Sequence, residues 1–167
     1  MKIHGKKIEG VNVEIIPIPR PDGDIIFKAE GVKDFTAFEK MCPEPMPPMK
    51  IVKGGRKEYN LEDPAYKAQV QIHSEKKIAW MVLESLKATD GLEWETVNLG
   101  DHHTWTEWSK ELRDSGLSVI EVQRIQTGVF TANCLNEAKL EEARKNFLQG
   151  QEANEKSTGQ NTEQPST

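Results

Sequence analysis

The sequence predicts a mixed α+β fold, with a β-rich N-terminal segment followed by a helical domain. Two observations support this prediction. Near the N-terminus, apolar and polar side chains alternate between turn-forming residues, which is typical of antiparallel strands. From Asp63 onward, apolar residues recur every three or four positions, which is typical of helices in a bundle. The length of 167 residues suits one compact unit with appendages.

The N-terminal segment, residues 1–33, is expected to form an antiparallel β-meander. Residues 2–8 have the pattern of a tight turn between two short strands, and alternation resumes over residues 11–15. An Asp-Gly pair at 22–23 supplies a turn before an apolar stretch at 24–29, which gives a three-stranded meander. Residues without an N–H group place the end of the second strand at a sheet edge or outside the sheet: Pro17, Pro19 and Pro21.

Residues 34–60 are expected to form a short helix and then a connector rich in proline and glycine. The helix is predicted at residues 34–40, and the following CPEPMPPM excludes both helix and central strand. The apolar residues of the connector favour a proline-rich strap laid across the core over a free linker: Met46, Met49, Ile51 and Val52. Residues 53–57 are interpreted as a flexible turn, because their glycines and cations lack the spacing of a phosphate-binding loop.

The third segment, residues 61–150, is expected to be a C-terminal bundle of about four helices. The first helix is predicted from Asp63, a cap followed by proline, to about Lys87. Its two apolar stripes indicate burial on more than one side. One stripe contains Ala65, Ala68, Ile72, Ala79, Val82 and Leu86, and the other contains Tyr66, Val70, Trp80 and Met81.

Two capping boxes predict the next pair of helices. Thr104 and Glu107 form the first box, and Ser118 and Glu121 form the second. Gly116 lies between them and is expected to end the first of these helices by adopting the left-handed backbone conformation. An apolar stripe follows each box: Trp105, Trp108 and Leu112, then Val122, Ile125 and Val129.

The last helix is predicted to begin at Asn136 and to end near Gly150. Three apolar residues form its predicted inward face: Leu140, Ala143 and Phe147. Residues 151–167 contain no large apolar side chain that could be buried, so they are expected to form a disordered polar tail.

The composition argues against several classes of function. A net charge of -5 lacks the concentrated positive charge that phosphate backbones attract, so nucleic acid is not expected as a partner. The apolar runs are too short to span a bilayer and the start is not a signal peptide, so we expect no membrane association and a cytoplasmic location. Cys42 and Cys134 are expected to be reduced structural thiols, and a nucleophile pair of Cys134 with a histidine is the alternative.

The stretch DHHTWTEWSKELRDSGLS at residues 101–118 raises the question of a functional site. One alternative is a metal site built from His102, His103, Glu107 and Asp114. Because successive residues point in different directions, the two histidines are interpreted instead as an exposed turn before a helix. The four tryptophans are interpreted as core rather than as a stacking platform. No catalytic residue, metal ligand or cofactor is predicted.

Several phrases occur in order over about residues 1 to 150: KIHGKKIEG, CPEPMPPM with VKGG, NLEDPAYKAQ, LEWETV, TWTEWSKELRDSGLS and AKLEEARKNFL. Together they resemble small tailed-bacteriophage proteins of the tail assembly chaperone type. The resemblance implies a non-enzymatic morphogenesis factor in the host cytoplasm. Such chaperones coat the tape measure protein through a helical domain, help tail tube subunits assemble around it, and leave before the virion is complete.

Three apolar residues lie off the main stripe of their predicted helix: Val119, Ile120 and Phe130. We interpret them as a surface for the tape measure protein, for the tail tube protein or for self-association, and burial against the β-meander is the alternative. Two other function classes stay open. One is a virion structural protein, such as a tail or head-tail connector component, and the other is a small phage enzyme or inhibitor that acts on a host protein.

Overall fold

The computed structural model describes residues 2–7 and 10–146, and the predicted mixed α+β class is confirmed. The strands are β1 (Lys2–Ile3), β2 (Lys6–Lys7), β3 (Val13–Ile18), β4 (Ile25–Glu30), β5 (Met49–Ile51) and β6 (Lys57–Tyr59). The helices are α1 (Thr36–Met41), α2 (Pro64–Leu86), α3 (Trp108–Asp114), α4 (Val119–Ala132) and α5 (137–146). The tail predicted at 151–167 lies outside the described residues, as do Phe147 and Gly150 of the last predicted helix.

The described strands form three separate two-stranded antiparallel sheets, in place of the predicted three-stranded meander. The β1–β2 hairpin has two residues in each strand, and all of them are exposed. Because β2 consists of Lys6 and Lys7, it has no apolar side chain to bury beside β3. The β3–β4 hairpin instead buries one face against the helices, through Ile16, Ile18, Phe27 and Ala29.

Pro17 lies inside β3, and the strand pairing explains why it is tolerated there. The register places Pro17 opposite Ile26, two positions from the pair of Ile15 and Lys28. The Thr89 hydroxyl accepts a hydrogen bond from the Lys28 N–H and lies 2.9 Å from the Lys28 carbonyl oxygen, so these backbone groups point away from β3. Pairs two positions apart have the same orientation in an antiparallel ladder, so the missing N–H of Pro17 removes no ladder bond.

The connector between α1 and α2 contains a third hairpin, β5–β6, rather than a strap on the core. Met46 is 76% exposed and Ile51 is 74% exposed, and Met49 is also exposed. Three of the six strand residues carry a charge, which favours contact of this hairpin with water. The turn predicted at residues 53–57 is present and joins the two strands.

α2 is the longest described helix, and both of its predicted ends are confirmed. The Asp63 carboxylate accepts a hydrogen bond from the Tyr66 N–H at 2.9 Å, and Pro64 is the first helical residue. None of residues 64–78 is fully buried, whereas seven of the eight residues from 79 to 86 are. The predicted stripes are therefore wrong in the first half of α2, where three members are exposed: Ala65, Ala68 and Ile72.

The first predicted capping box is wrong, because the Thr104 side chain caps no helix. Its hydroxyl accepts a hydrogen bond from the Asn98 N–H and lies 2.9 Å from the Asp101 carbonyl, so it closes the preceding loop. A 3-10 turn at Trp105–Glu107 then leads into α3. The predicted apolar face is confirmed, since its three members are buried: Trp105, Trp108 and Leu112.

The corner between α3 and α4 is confirmed as predicted. Gly116 has a φ of 100°, and the N–H of the next residue, Leu117, donates to the Leu112 carbonyl at 3.2 Å. This is the Schellman arrangement that stops a helix. Ser118 and Glu121 then form the second predicted capping box, with both reciprocal hydrogen bonds present.

Glu111 of α3 holds the loop that precedes it. Its carboxylate accepts hydrogen bonds from the N–H groups of Glu95, Thr96 and Val97 at 2.6, 3.1 and 2.9 Å. Burial raises the pKa of Glu111, but these bonds and one from the Thr96 hydroxyl outweigh burial and leave the pKa below its ordinary value. The loop is thereby fixed against the helix, and Val97 is buried.

α4 lies along the β3–β4 hairpin and is attached near both ends. Near its first residue, the Arg20 guanidinium forms two hydrogen bonds with the Glu121 carboxylate, and the Nη2–Oε2 distance is 3.0 Å. Near its last residue, the Asn12 amide donates to the Thr131 carbonyl at 3.1 Å. The buried face of α4 is the predicted one: Val122, Ile125 and Val129.

α5 begins as predicted, because the Asn136 carboxamide oxygen accepts a hydrogen bond from the Lys139 N–H at 3.3 Å. Lys139 also forms an ion pair with Glu14 of β3 at 3.2 Å. The predicted inward face is wrong in the described part of α5, where Leu140 and Ala143 are exposed. The first turn of α5 is therefore attached to β3, while its apolar residues face solvent.

The ion pair at the start of α4 makes stability depend on pH. Hydrogen bonds from the Arg20 side chain, followed by those from Ser118, lower the pKa of Glu121 to about 2. A depressed carboxyl pKa contributes stability above the unfolded-state pKa, and this contribution is lost as the pH falls through the folded-state pKa. We expect the free energy of unfolding of the natural chain to fall more steeply between about pH 5 and about pH 2 than that of Glu121→Gln, in urea titrations. Parallel pH profiles for the two proteins would contradict this assignment.

Gly128 permits the closest approach of α4 to β3. A β-carbon there would lie 2.4 Å from both Cδ1 and Cγ1 of Ile16, which is buried. Alanine is the better helix former by about 1 kcal/mol, but overpacking outweighs this gain, and we expect Gly128→Ala to lower the free energy of unfolding by about 1–2 kcal/mol. Thr127→Ala on the exposed side of α4 is the matched control and should stay within about 0.5 kcal/mol in the same urea titration. Unchanged stability of Gly128→Ala would mean that Ile16 moves aside freely.

Candidate protein-binding surface

An apolar groove lies between α2 and α4, and we call it the α2–α4 groove. Its lining comes from three parts of the chain: Val32, Phe35, Lys77, Ile78, Met81, Phe130, Asn133 and Leu135. Ile78 is 43% exposed and Leu135 is 55% exposed, so the groove presents apolar surface to solvent. Contiguous apolar surface of this kind is typical of protein-binding sites.

Aromatic packing fixes the floor of the α2–α4 groove. The Phe35 ring lies with its centroid 5.5 Å from that of Trp80 and 6.4 Å from that of Phe38, and both of these neighbours are buried. The ammonium group of Lys77 lies 4.8 Å from the centroid of the Phe35 ring. The rim of an otherwise apolar groove therefore carries a positive charge.

The Asn133 side chain sets the distance between the two walls of the groove. Its carboxamide oxygen accepts a hydrogen bond from the Val32 N–H at 2.8 Å. Its amino group donates to the Ser85 hydroxyl of α2 and to the Val129 carbonyl of α4, both at 2.9 Å. Because one amide joins three elements, the groove is largely formed before any partner binds.

The end of α4 places Leu135 beside Phe130. The Leu135 N–H donates to the Phe130 carbonyl at 2.8 Å, while Cys134 has a φ of 57°. This is the same Schellman arrangement that ends α3, with cysteine in the position that usually holds glycine. The prediction of structural thiols fits the buried Cys42 but is wrong for Cys134, which this turn leaves exposed.

The three predicted partner-binding residues lie at different places on α4. Phe130 is half-buried in the wall of the α2–α4 groove. Val119 is exposed on the same side of the helix as Phe130, because the eleven positions between them make about three turns, or about 16 Å. Ile120 is 72% exposed on the other flank of α4, in a separate groove beside β3. The structure thus brings Val119 and Phe130 to one side and sets Ile120 apart.

The histidines lie in the predicted turn, although His102 is half-buried. Its Nδ1 lies 2.9 Å from the Lys76 ammonium group, and its ring centroid lies 4.0 Å from that of His103. Over residues 2–7 and 10–146, no three or more His, Cys, Asp or Glu side chains form a group that could hold a metal ion. The tryptophans are core as predicted, with three buried and one half-buried against them: Trp80, Trp105, Trp108 and Trp94.

Ile78 and Leu135 are groove residues that the sequence patterns do not predict. Ile78 is an apolar residue that belongs to neither predicted stripe of α2, and Leu135 lies between two predicted helices. For Ile78, its position off both stripes was the available signal. Their meeting with Phe130 depends on the packing of α2 against α4, which no local pattern encodes.

The chain matches no protein-family model, no curated protein and no solved structure. Among the described helices, none has the length and apolar character needed to cross a membrane. Its function is therefore inferred from the chemistry of its surface and from the sequence resemblance.

Cys134 holds a backbone conformation that glycine adopts without strain. We expect Cys134→Gly to raise the free energy of unfolding by about 1 kcal/mol in urea titrations monitored by circular dichroism. Cys134→Ala removes the thiol but keeps the β-carbon, so it should give no comparable gain. Equal stabilisation by the two substitutions would assign the effect to the thiol and would contradict the backbone explanation.

Proposed function

We propose that this protein is a non-enzymatic factor of bacteriophage tail morphogenesis, a tail assembly chaperone that acts in the host cytoplasm. It binds the tape measure protein and helps the tail tube protein assemble. The sequence resemblance supports the identity of these partners. The observation that carries the binding role is the α2–α4 groove, where the half-buried Phe130 lies beside the exposed Ile78 and Leu135.

The α2–α4 groove suits an amphipathic helix of the partner. A helix that lies in an apolar groove inserts side chains spaced at i, i+3, i+4 and i+7, and the walls held by Asn133 need little rearrangement to receive them. Lys77 at the rim favours an acidic residue on the flank of that helix.

Val119 extends this surface along α4. A partner helix that runs beside α4 would contact Phe130 with one turn and Val119 about 16 Å further on. Apolar residues eleven positions apart in the partner helix would therefore face both. Such a spacing is a concrete criterion for choosing segments of the tape measure protein.

The openness of the groove is consistent with temporary binding. A chaperone that leaves before the virion is complete must release its partner, and a rim of exposed side chains such as Leu135 buries less apolar area than a closed cavity would. The bound segment is thereby shielded from aggregation without being held permanently.

The test is affinity capture of the tagged chain from phage-infected host cells, with partners identified by mass spectrometry. We expect the tape measure protein to be recovered with the natural chain and to be lost with Leu135→Glu, because a carboxylate in the groove opposes burial of an apolar face. Leu140→Glu is the matched control, since Leu140 is similarly exposed on α5 and lies outside the α2–α4 groove.

Purified virions are probed for the same chain in parallel. Its absence from virions, together with recovery of the tape measure protein, supports the chaperone. Its presence in virions would instead assign it to the structural proteins of the particle. A host protein as the sole partner would overturn the proposal in favour of an inhibitor or host-directed enzyme.

A further inference from the structure

A second groove lies on the other flank of α4, between that helix and β3, and we call it the β3–α4 groove. From β3 it is lined by Glu14, Ile15, Ile16 and Pro17, and from α4 chiefly by Ile120, Arg124 and Thr127. Ile15 is 55% exposed and Ile120 is 72% exposed, so apolar side chains stand on both sides. Its chemistry differs from that of the α2–α4 groove, because one of its walls is the edge of a sheet.

The edge of β3 in this groove carries backbone groups that pair with no other described strand. The N–H and C=O of Lys28 bind the Thr89 hydroxyl and therefore point away from β3. Ile15 is paired with Lys28, so its own N–H and C=O point away from β4, out from the free edge of β3. The same holds for Val13, two positions earlier. Within the part of the chain that the structure describes, no group accepts a hydrogen bond from these outward N–H groups. An edge with free donors and acceptors is a template for another strand.

α4 runs beside this edge over a matching length. The hairpin is attached to α4 at Glu121 and at Thr131, ten residues or about 15 Å apart along the helix. The six residues of β3 extend over about 20 Å. The groove therefore has the dimensions of one extended segment of five or six residues, with a helix as its second wall.

The charges in the groove favour an acidic occupant. Glu14 is already paired with Lys139, and Glu121 is already paired with Arg20. Arg124 lies in the middle of α4 and forms no ion pair with any described residue. In a chain of net charge -5, this groove thus offers a guanidinium that no described carboxylate neutralises, and a guanidinium binds carboxylates well.

We infer that the β3–α4 groove binds an extended segment of a partner protein, which adds to β3 as a third strand and places an acidic side chain against Arg124. Main-chain hydrogen bonds to Val13 and Ile15 supply the attachment. Alternate side chains of the segment face α4, where they pack against Ile120 and select β-branched or aromatic residues. This site is separate from the α2–α4 groove and does not rest on the function proposed for it.

The probe is a library of random twelve-residue peptides, displayed on ribosomes and selected against the immobilised full-length chain. We expect the selected peptides to alternate apolar and polar residues with a period of two and to contain an aspartate or glutamate. The best peptide is then labelled with fluorescein, and its affinity for variants of the chain is measured by fluorescence anisotropy.

Two pairs of variants test the two contacts. Ile15→Pro removes an outward N–H without removing a ladder bond, and we expect it to weaken peptide binding about tenfold. Ile26→Pro makes the same change on the opposite edge of the hairpin and should leave peptide binding unchanged. Arg124→Glu should weaken binding at least about tenfold by charge reversal. Arg113→Glu, an exposed arginine on α3, is its matched control.

A test on the peptide is independent of the folding of any variant. Methylation of alternate backbone nitrogens should abolish binding in one register, where the amides face β3, and leave it intact in the other register. Selection of no peptide, selection of peptides with helical spacing, or equal affinities of Ile15→Pro and Ile26→Pro would overturn the inference. Dimerisation of the chain that blocks the labelled peptide would overturn it as well, because the occupant would then be a second copy.

Discussion

The packing of Gly128 of α4 against Ile16 of β3 is the contact on which the rest of the structure depends. It brings α4 close enough to the hairpin for hydrogen bonds to form near both ends of the helix, with Arg20 near its start and Asn12 near its end. A two-stranded sheet is only about 5 Å from strand axis to strand axis, whereas a helix with its side chains is about 10 Å across. A helix seated this closely on so narrow a sheet leaves open flanks, and both grooves lie on the flanks of α4.

The two grooves therefore have one origin but different chemistry. On one flank α4 faces another helix, and the lining is aromatic and aliphatic around the Asn133 amide. On the other flank α4 faces a strand edge that no other described strand covers, together with the charge of Arg124. In the binding modes proposed above, the α2–α4 groove would recognise side chains and the β3–α4 groove would recognise main chain. A single helix can in this way serve two partners, or two segments of one partner, without competition between them.

Features encoded in neighbouring residues were predictable from the sequence. The Asp63 cap, the Ser118 box and the stop at Gly116 each involve groups within a few positions of one another. Features that depend on distant packing were not predictable. The Thr104 hydroxyl has the right spacing for a cap but is already satisfied by Asn98, and the stripes of α2 do not reveal that only its second half is covered.

The candidate site shows the same division between local and distant information. Phe130 was recognisable as an apolar residue off the main stripe of α4, but its neighbours Ile78 and Leu135 come from other parts of the chain. The edge of β3 was hidden for a different reason. In the predicted three-stranded meander, β3 would be the central strand and would have a neighbour along both edges. One edge of β3 is free because each described sheet contains only two strands.

The uneven burial of α2 has a mechanical consequence. Its exposed portion, residues 64–78, is a rod of about 22 Å that continues without interruption into the buried portion. Ile78 and Met81, at the junction, belong to the wall of the α2–α4 groove. The rod is braced midway, because Nε2 of His73 lies 3.0 Å from the Cys42 carbonyl oxygen, so only its first turns stand clear of the rest of the described structure. A displacement of those first turns would therefore reach the groove only through a helix that is held at His73 and again at the buried Trp80.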